Sequence, residues 1–223
     1  MGESKYSKLL TIILVIVVVA VLALLGFLGY DIYKDNKNWT EAAHALEEFD
    51  KMASENNGKE NMELPEIETK PTENSEITNN EESNKPNKKV QFKGYNVEGK
   101  IEIPVIDLEY PILEKTTPSS IEQSVAIMYT ENGLNQPGNT VIVGHNYRSG
   151  AFFGKNDRLK EGDKVYIKDN SGNRIKYNIY NIYETSPDDS DFIRRDTKGK
   201  REISLQTCTN NSKGRLIIWA VEE

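Results

Sequence analysis

The chain contains very little cysteine and histidine. Cys208 is the only cysteine among 223 residues, and His44 and His145 are the only histidines. Because a single thiol cannot form an internal disulfide, no disulfide framework holds this fold together. The surroundings of these few residues are therefore the most informative part of the sequence.

Two short runs surround the scarce side chains. The run 205–215, LQTCTNNSKGR, holds Cys208 and places Arg215 seven positions after it. The run 140–146, TVIVGHN, is apolar and β-rich, and His145 lies near its end, where a loop is expected to begin. A lone cysteine, a histidine at a strand end and an arginine are the components of a thiol acyl-transfer site.

The longest apolar run is Leu9 to Tyr30, which contains 22 consecutive uncharged residues. At about 1.5 Å per residue, a helix of this length spans the roughly 30 Å hydrocarbon core of a bilayer. A cleaved signal peptide would have an apolar region of about 7 to 15 residues followed by a small-x-small cleavage site, and neither condition is met. The run therefore predicts an uncleaved transmembrane helix, 9–30, after a short N-terminal segment, 1–8.

The charges that flank this helix favour a cytoplasmic N-terminus only slightly. Two lysines precede the helix, while two lysines and two aspartates follow it: Lys5, Lys8, Lys34, Lys37, Asp31 and Asp35. Taken alone, the flanking charges leave the orientation open.

A helical stalk is predicted for residues 31–57. Asn38 with Glu41 has the pattern of an N-terminal cap, and Asn57 followed by Gly58 is a stop signal. His44 lies on this helix without a partner signal and is interpreted as incidental. The helix is expected to pack either on the neighbouring domain or on the lipid surface. Its apolar stripe consists of Trp39, Ala43, Leu46, Phe49 and Ala53.

Residues 58–89 are predicted to form a disordered linker. They are mostly Asn, Glu, Lys, Ser, Thr and Pro, and such a segment buries too little apolar surface to offset its loss of conformational entropy. Residues 31–89 hold 15 acidic and 8 basic side chains, whereas residues 90–223 hold 19 acidic and 18 basic ones. The net charge of the chain therefore indicates nothing about an acidic or basic substrate groove.

Residues 90–223 read as a mainly β domain, with helical signals confined to 118–124 and 188–195. Seven or eight short strands in about 130 residues predict a sandwich or a closed barrel, and periodicity does not separate the two. The predicted strands are Val97–Val105, Val125–Tyr129, Thr140–Val143, Lys164–Lys168, Arg174–Tyr183, Glu202–Thr207 and Leu216–Val221.

The residues around Cys208 and His145 resemble those of the sortase family of cysteine transpeptidases. The resemblance lies in a strand that ends in Thr207-Cys208 with Arg215 shortly after it, and in a Gly-His-Asn strand end some sixty residues earlier. It covers about residues 101–220. It implies an eight-stranded sortase β-barrel with short helices, in a type II membrane protein whose catalytic domain works on the outer face of a Gram-positive cell.

The resemblance also assigns roles to individual residues. Cys208 would attack a peptide carbonyl and form a thioester, and His145 would protonate the leaving amine and deprotonate the incoming one. Arg215 would stabilise the oxyanion or hold the substrate backbone, and Thr207 would contribute a substrate contact. The alternatives are a buried, inert cysteine and a solvated histidine at a strand end.

The reaction implied is cleavage of a C-terminal sorting signal of the LPxTG type, between Thr and Gly, and transfer of the protein to a cell-wall amine. The implied partners are secreted proteins that carry the signal and a peptidoglycan precursor or cross-bridge. No organic cofactor is implied. No metal ligands are assigned, since Asp188, Asp189 and Asp191 read as solvated helix-start residues, and the calcium dependence seen in some class A members is left open. A non-enzymatic, membrane-tethered β-module that presents a binding surface is the alternative from another class.

Details of the sequence favour some sortase classes over others. Ser204 and Gln206 depart from the usual pattern before the Thr-Cys pair, although the L-x-T-C core is intact. The separation of 63 positions from His145 to Cys208 leaves little room for the long helical insertion of class B. No lid segment with a mimic of the catalytic site is visible in the stalk, which argues against class C. A class A, D or E-like member is therefore expected. The S-x-G-C-x-R signature of L,D-transpeptidases is absent.

Overall fold

A computed structural model describes residues 5–60, 89–209 and 212–223, with side chains described outside 5–8, 31–39 and 57–60. The predicted disordered linker therefore lies outside the described residues over 61–88. The chain divides into two compact units, residues 1–43 and residues 44–223.

One long helix, α1, spans Lys5–Glu60 and contains the apolar run Leu9–Tyr30, whose mean hydropathy is 3.3. None of that run is buried within the protein, as expected for a membrane span. The residues of the predicted stalk helix are helical, but the helix has other bounds than the sequence signals indicated: α1 passes through Asn38 without a break and continues beyond Asn57-Gly58 to Glu60. No Gly or Pro occurs between Tyr30 and Asn57, and Asn or Asp inside a helix costs only a few tenths of a kcal/mol, about 0.7 at most. The cap signal at Asn38 therefore does not interrupt the helix, and Gly58, at a cost of about 1 kcal/mol, ends it only two residues later at Glu60.

The last turns of α1 belong to the second unit and pack on its strands. Phe49 and Ala53 are completely buried, and the Asp50 carboxylate accepts hydrogen bonds from Lys100 Nζ at 2.9 Å and Lys168 Nζ at 2.8 Å. Asn56 Nδ2 donates to the Asn170 carbonyl at 2.9 Å. The stalk stripe was expected to pack either on the neighbouring domain or on the lipid surface. Its C-terminal part packs on the domain.

The rest of the second unit is a closed β-barrel. The strands are β1 Gln91–Phe92, β2 Tyr95–Ile103, β3 Leu108–Leu113, β4 Val125–Thr130, β5 Gly138–Val143, β6 Lys164–Asp169, β7 Arg174–Thr185, β8 Arg201–Thr209 and β9 Gly214–Glu222. Eight of them follow the order β2-β3-β4-β5-β8-β9-β7-β6, and β6 pairs back with β2 to close the sheet. The short strand β1 extends the sheet beside β2, and all pairs are antiparallel except β3–β4 and β5–β8. Because the sheet closes on itself, the fold is the predicted barrel and not a sandwich.

Strand β3 has no counterpart among the predicted strands because Pro111 lies in its middle. The Pro111 carbonyl accepts a hydrogen bond from Ser124 Oγ at 2.6 Å, on the side where β4 lies. The carbonyl and amide positions of one strand residue face the same neighbour, so the missing N–H also faces that side. Since β4 begins only at Val125, the proline costs no ladder bond there.

The regions predicted to be helical, 118–124 and 188–195, form hydrogen-bonded turns instead. In the first, the Ser120 side chain bonds to the backbone at Thr117 and Lys115, which competes with helical bonding. Both turns lie against the outside of the barrel and cover a second apolar cluster. This cluster contains Val141, Val143, Phe192 and Ile217, with Ile121, Tyr129, Tyr183, Ile193 and Trp219 packed against it.

Candidate active site

Three neighbouring strands bring the predicted site residues to one end of the barrel. In the parallel β5–β8 pair, Val143 lies opposite Gln206, and His145 and Cys208 each follow two residues later. In the antiparallel β8–β9 pair, Cys208 lies directly opposite Arg215. The structure therefore places the cysteine and the arginine opposite each other on β8 and β9, and the histidine at the same level just beyond the end of β5.

Alternation along β8 sends neighbouring side chains to opposite faces. Thr207 is only 3% exposed, and its hydroxyl donates a 2.7 Å hydrogen bond to the Gly144 carbonyl. It lies opposite Leu216, a member of the barrel core. Cys208 and Arg215 point the other way and are partly exposed. The hydroxyl of Thr207 is thus engaged inside the protein, where it ties β8 to the residue before His145.

The main chain at His145 is held by close packing. The Phe153 amide donates to the His145 carbonyl at 3.0 Å. A Cβ added to Gly144 would lie 2.9 Å from Val125 Cγ1 and 3.0 Å from Phe153 Cδ2, so no larger side chain fits there without a shift of its neighbours. This contact explains why glycine precedes the histidine.

Asn146 connects the histidine loop to the cysteine strand. Its Nδ2 donates a 2.8 Å hydrogen bond to the carbonyl of Cys208. This bond continues the β5–β8 pairing past its last register pair, Val143 and Gln206. Asn146 belongs to the Gly-His-Asn run, but sequence reasoning gave it no role of its own. Only the parallel alignment of the two strands shows what its amide reaches.

Arg215 is folded back on the β8–β9 connection. Its Nη1 donates to the carbonyls of Ser212 at 3.1 Å and Gly214 at 3.0 Å. Ser212 has a φ of 72°, a left-handed conformation that allows the chain to turn tightly between the two strands. These bonds hold the guanidinium group at the strand end, on the same face as the thiol.

Glu122 is a site residue that sequence reasoning missed. Its Oε1 lies 3.2 Å from His145 Nε2, and its Oε2 accepts a 2.6 Å hydrogen bond from the Tyr147 hydroxyl. The ring of Tyr147 in turn lies 5.1 Å from the His145 ring, centroid to centroid. Glu122 precedes His145 by 23 residues and lies in a turn, so no local pattern in the sequence connects the two.

Burial and Glu122 both affect the Tyr147 phenol. Burial is the larger cause, and together with the hydrogen bond and the negative charge of Glu122 it raises the pKa of Tyr147 to about 12. Tyr147 is therefore a neutral hydrogen-bond donor at any physiological pH. Within residues 5–60, 89–209 and 212–223, no group of three or more His, Cys, Asp or Glu side chains is arranged to hold a metal ion.

A closed barrel with a cysteine, a histidine and an arginine at the ends of adjacent strands defines a thiol-centred site on a β scaffold. The family model described as the Sortase domain matches residues 101–223, just over half of the chain. This protein belongs to the sortase family.

Individual relatives agree with this membership. Sortase A of Bacillus anthracis is 35% identical over 119 residues, which are 52% of this chain and 55% of that protein. The chain thus spans about half the length of this curated relative. Sortase A from Corynebacterium diphtheriae, a solved structure, is 29% identical with a TM-score of 0.53 over 58% of this chain and 61% of that one.

A Clostridium perfringens sortase D5 transpeptidase extends the likeness in fold. Its TM-score is 0.59 at 22% identity, and the match covers 82% of this chain and 99% of that chain. At this identity the likeness concerns the fold alone. Structures of sortase C proteins also match, with TM-scores near those of the class A enzymes. The expected class A, D or E-like character is compatible with these matches.

Proposed function

We propose that this protein is a membrane-anchored cysteine transpeptidase that cleaves an LPxTG-like sorting signal and transfers the cleaved protein to a cell-wall amine. One observation carries the proposal: β5, β8 and β9 bring His145, Cys208 and Arg215 to one level of a sortase-family barrel. A buried, inert cysteine would not be partly exposed beside a histidine and an arginine.

The first half of the reaction forms an acyl-enzyme. The Cys208 thiolate attacks the carbonyl carbon of the Thr–Gly bond, and the carbonyl oxygen becomes an oxyanion. Arg215 is the donor proposed to stabilise this oxyanion, because a guanidinium group stays charged and donates in a fixed fork. His145 then protonates the departing amine of the glycine, the C–N bond breaks, and a thioester to Cys208 remains.

The second half transfers the acyl group. A cell-wall amine attacks the thioester carbonyl, and His145 takes up the proton that the amine loses. The C–S bond then breaks, the new amide is released, and Cys208 returns as a thiolate. One histidine thus gives a proton in the first half and regains it in the second, so the cycle is balanced without a cofactor.

The anchor completes the proposal. The uncharged run Leu9–Tyr30 is proposed as a single membrane span with residues 1–8 in the cytoplasm and the barrel outside. The partners proposed are secreted proteins with a C-terminal sorting signal and a peptidoglycan precursor or cross-bridge. A solved sortase C of Clostridium perfringens, 24% identical, is described with a C-terminal cell wall sorting motif, which supports this substrate class.

The test is a transfer assay with the full chain in detergent micelles. The protein is incubated with a library of peptides that carry variants of LPxTG, with and without an added amine, and the products are identified by mass spectrometry. We expect cleavage after the Thr and a new amide to the added amine. Intact peptides across the whole library, with a folded protein, would support the non-enzymatic β-module instead.

A further inference from the structure

The Glu122 carboxylate lies between the side chains of His145 and Tyr147, which follow the end of β5, with one oxygen toward each. Oε2 accepts the 2.6 Å bond from the Tyr147 hydroxyl, and Oε1 lies 3.2 Å from His145 Nε2. We propose that Glu122 is a positioning residue that holds the His145 ring for proton transfer, with Tyr147 fixing the carboxylate. This inference rests on the proposed function, since it assigns a positioning partner to the histidine that transfers protons in the proposed reaction.

The turn that carries Glu122 is firmly built. The Thr117 amide bonds to Ser120 Oγ at 2.7 Å, and the Ser120 amide bonds back to Thr117 Oγ1 at 3.0 Å. Ser120 and Ser124 are completely buried, and Ile121 packs against the second apolar cluster. Although the Glu122 side chain is 55% exposed, its backbone is fixed on both sides.

Tyr147 limits the freedom that the exposed carboxylate would otherwise have. Its ring is half-buried and packs against Phe152 with centroids 5.6 Å apart. Its hydroxyl stays protonated, because its pKa is raised to about 12 by burial first and by the hydrogen bond and charge of Glu122 second. A permanent donor therefore occupies Oε2 and leaves Oε1 directed to the imidazole.

The arrangement selects one form of the imidazole. An ionised carboxylate only accepts hydrogen bonds, so a neutral His145 carries its proton on Nε2 and keeps Nδ1 for proton exchange. His145 Nε2 is buried and makes no aligned hydrogen bond to any described residue, although Oε1 is within 3.2 Å. Catalytic hydrogen bonds of this kind tighten when substrate binds.

The test compares Glu122→Gln and Glu122→Asp with the wild-type chain in detergent. Gln keeps the volume but removes the charge, so we expect kcat to fall about 10-fold at nearly constant KM, a part of the roughly 10² to 10⁴ that proton transfer supplies. Asp restores the charge, and we expect it to recover part of kcat. Glu161→Gln, at an exposed turn before β6, is the matched control and should leave kcat unchanged.

A second readout does not depend on turnover. The chain has only two histidines, so the side-chain ¹⁵N resonances of His145 are identified by comparison with a His44→Gln chain. We expect the neutral imidazole of the wild type to carry its proton on Nε2 and not on Nδ1, and we expect a mixed population of the two tautomers in Glu122→Gln. Wild-type kcat in Glu122→Gln, or an unchanged tautomer signature, would overturn the inference. A wild-type chain that cleaves no peptide but shows this signature would overturn the proposed function alone.

Discussion

Cys208 and Arg215 are direct cross-strand partners at the end of the β8–β9 pair. On the other side of β8, the amide of Asn146 bonds to the Cys208 carbonyl. The residue proposed as the nucleophile is therefore fixed from both neighbouring strands, while its side chain remains partly exposed. This relationship leads to predictions for each partner.

Arg215→Ala should lose about 10² to 10³ in kcat, the effect expected when one oxyanion donor is removed. Arg215→Lys keeps the charge but not the fork, so it should recover little of this loss. Steady-state cleavage of the preferred peptide measures both values. Near wild-type turnover in Arg215→Lys would show that charge alone suffices and would contradict the fork-shaped contact.

Asn146→Ala removes the 2.8 Å bond between the histidine loop and the Cys208 carbonyl. We expect the free energy of unfolding to fall by about 1 kcal/mol, as for the loss of a single hydrogen bond. We also expect kcat to fall, and by more than this loss of stability explains. Asn132→Ala is the matched control, because Asn132 also donates from an exposed amide to a backbone carbonyl, that of Pro137 at 2.7 Å. Equal loss of kcat in the two variants would mean that Asn146 acts on stability alone.

The helix that packs on the barrel should be part of the stable unit. Phe49 and Ala53 are completely buried and Leu46 is 7% exposed. Burial of a Phe or Leu side chain contributes about 1.5 to 3 kcal/mol each, so a chain that starts at Asn87 should melt on the order of 10 °C below one that starts at Asp31. Thermal unfolding of the two chains decides this. Equal midpoints would show that residues 31–86 only space and anchor the barrel.

The Asp50 contact should give a defined pH dependence. Burial raises the pKa of Asp50, but the hydrogen bonds and charges of Lys168 and Lys100 outweigh it, so the pKa lies below its ordinary value. The stabilisation is therefore present above the unfolded-state pKa of about 3.9 and is lost as pH falls through the lower folded value.

Asp50→Asn tests this contact. The Asp50 side chain is 39% exposed, so solvent screening limits the loss at pH 7 to about 1 kcal/mol, or about 2 to 4 °C in melting temperature. The difference from wild type should shrink below about pH 4. A difference that stays constant down to pH 3 would show that packing, and not charge, accounts for the loss.

Much of this structure could be predicted from local patterns, and the rest depended on distant contacts. Alternation located strands such as β6 and β7, and the scarce Cys208 and His145 marked the candidate site. Strand β3 was missed because a proline within a run argues against a strand, and Pro111 lies in its middle. The proline is tolerated there only because β4 has not yet begun beside it. Glu122 and Asn146 act through contacts with residues 23 and 62 positions away, which no local spacing reveals.

The central claim is that Cys208 carries the acyl group, and intact-protein mass spectrometry tests it most directly. The full chain in detergent is mixed with an LPxTG peptide, quenched in acid and analysed for a covalent adduct, which is then mapped by proteolysis. We predict an adduct on Cys208 with the mass of the peptide up to its Thr, and no adduct and no cleavage in Cys208→Ala. Continued cleavage by Cys208→Ala, or an adduct on any other residue, would contradict the account.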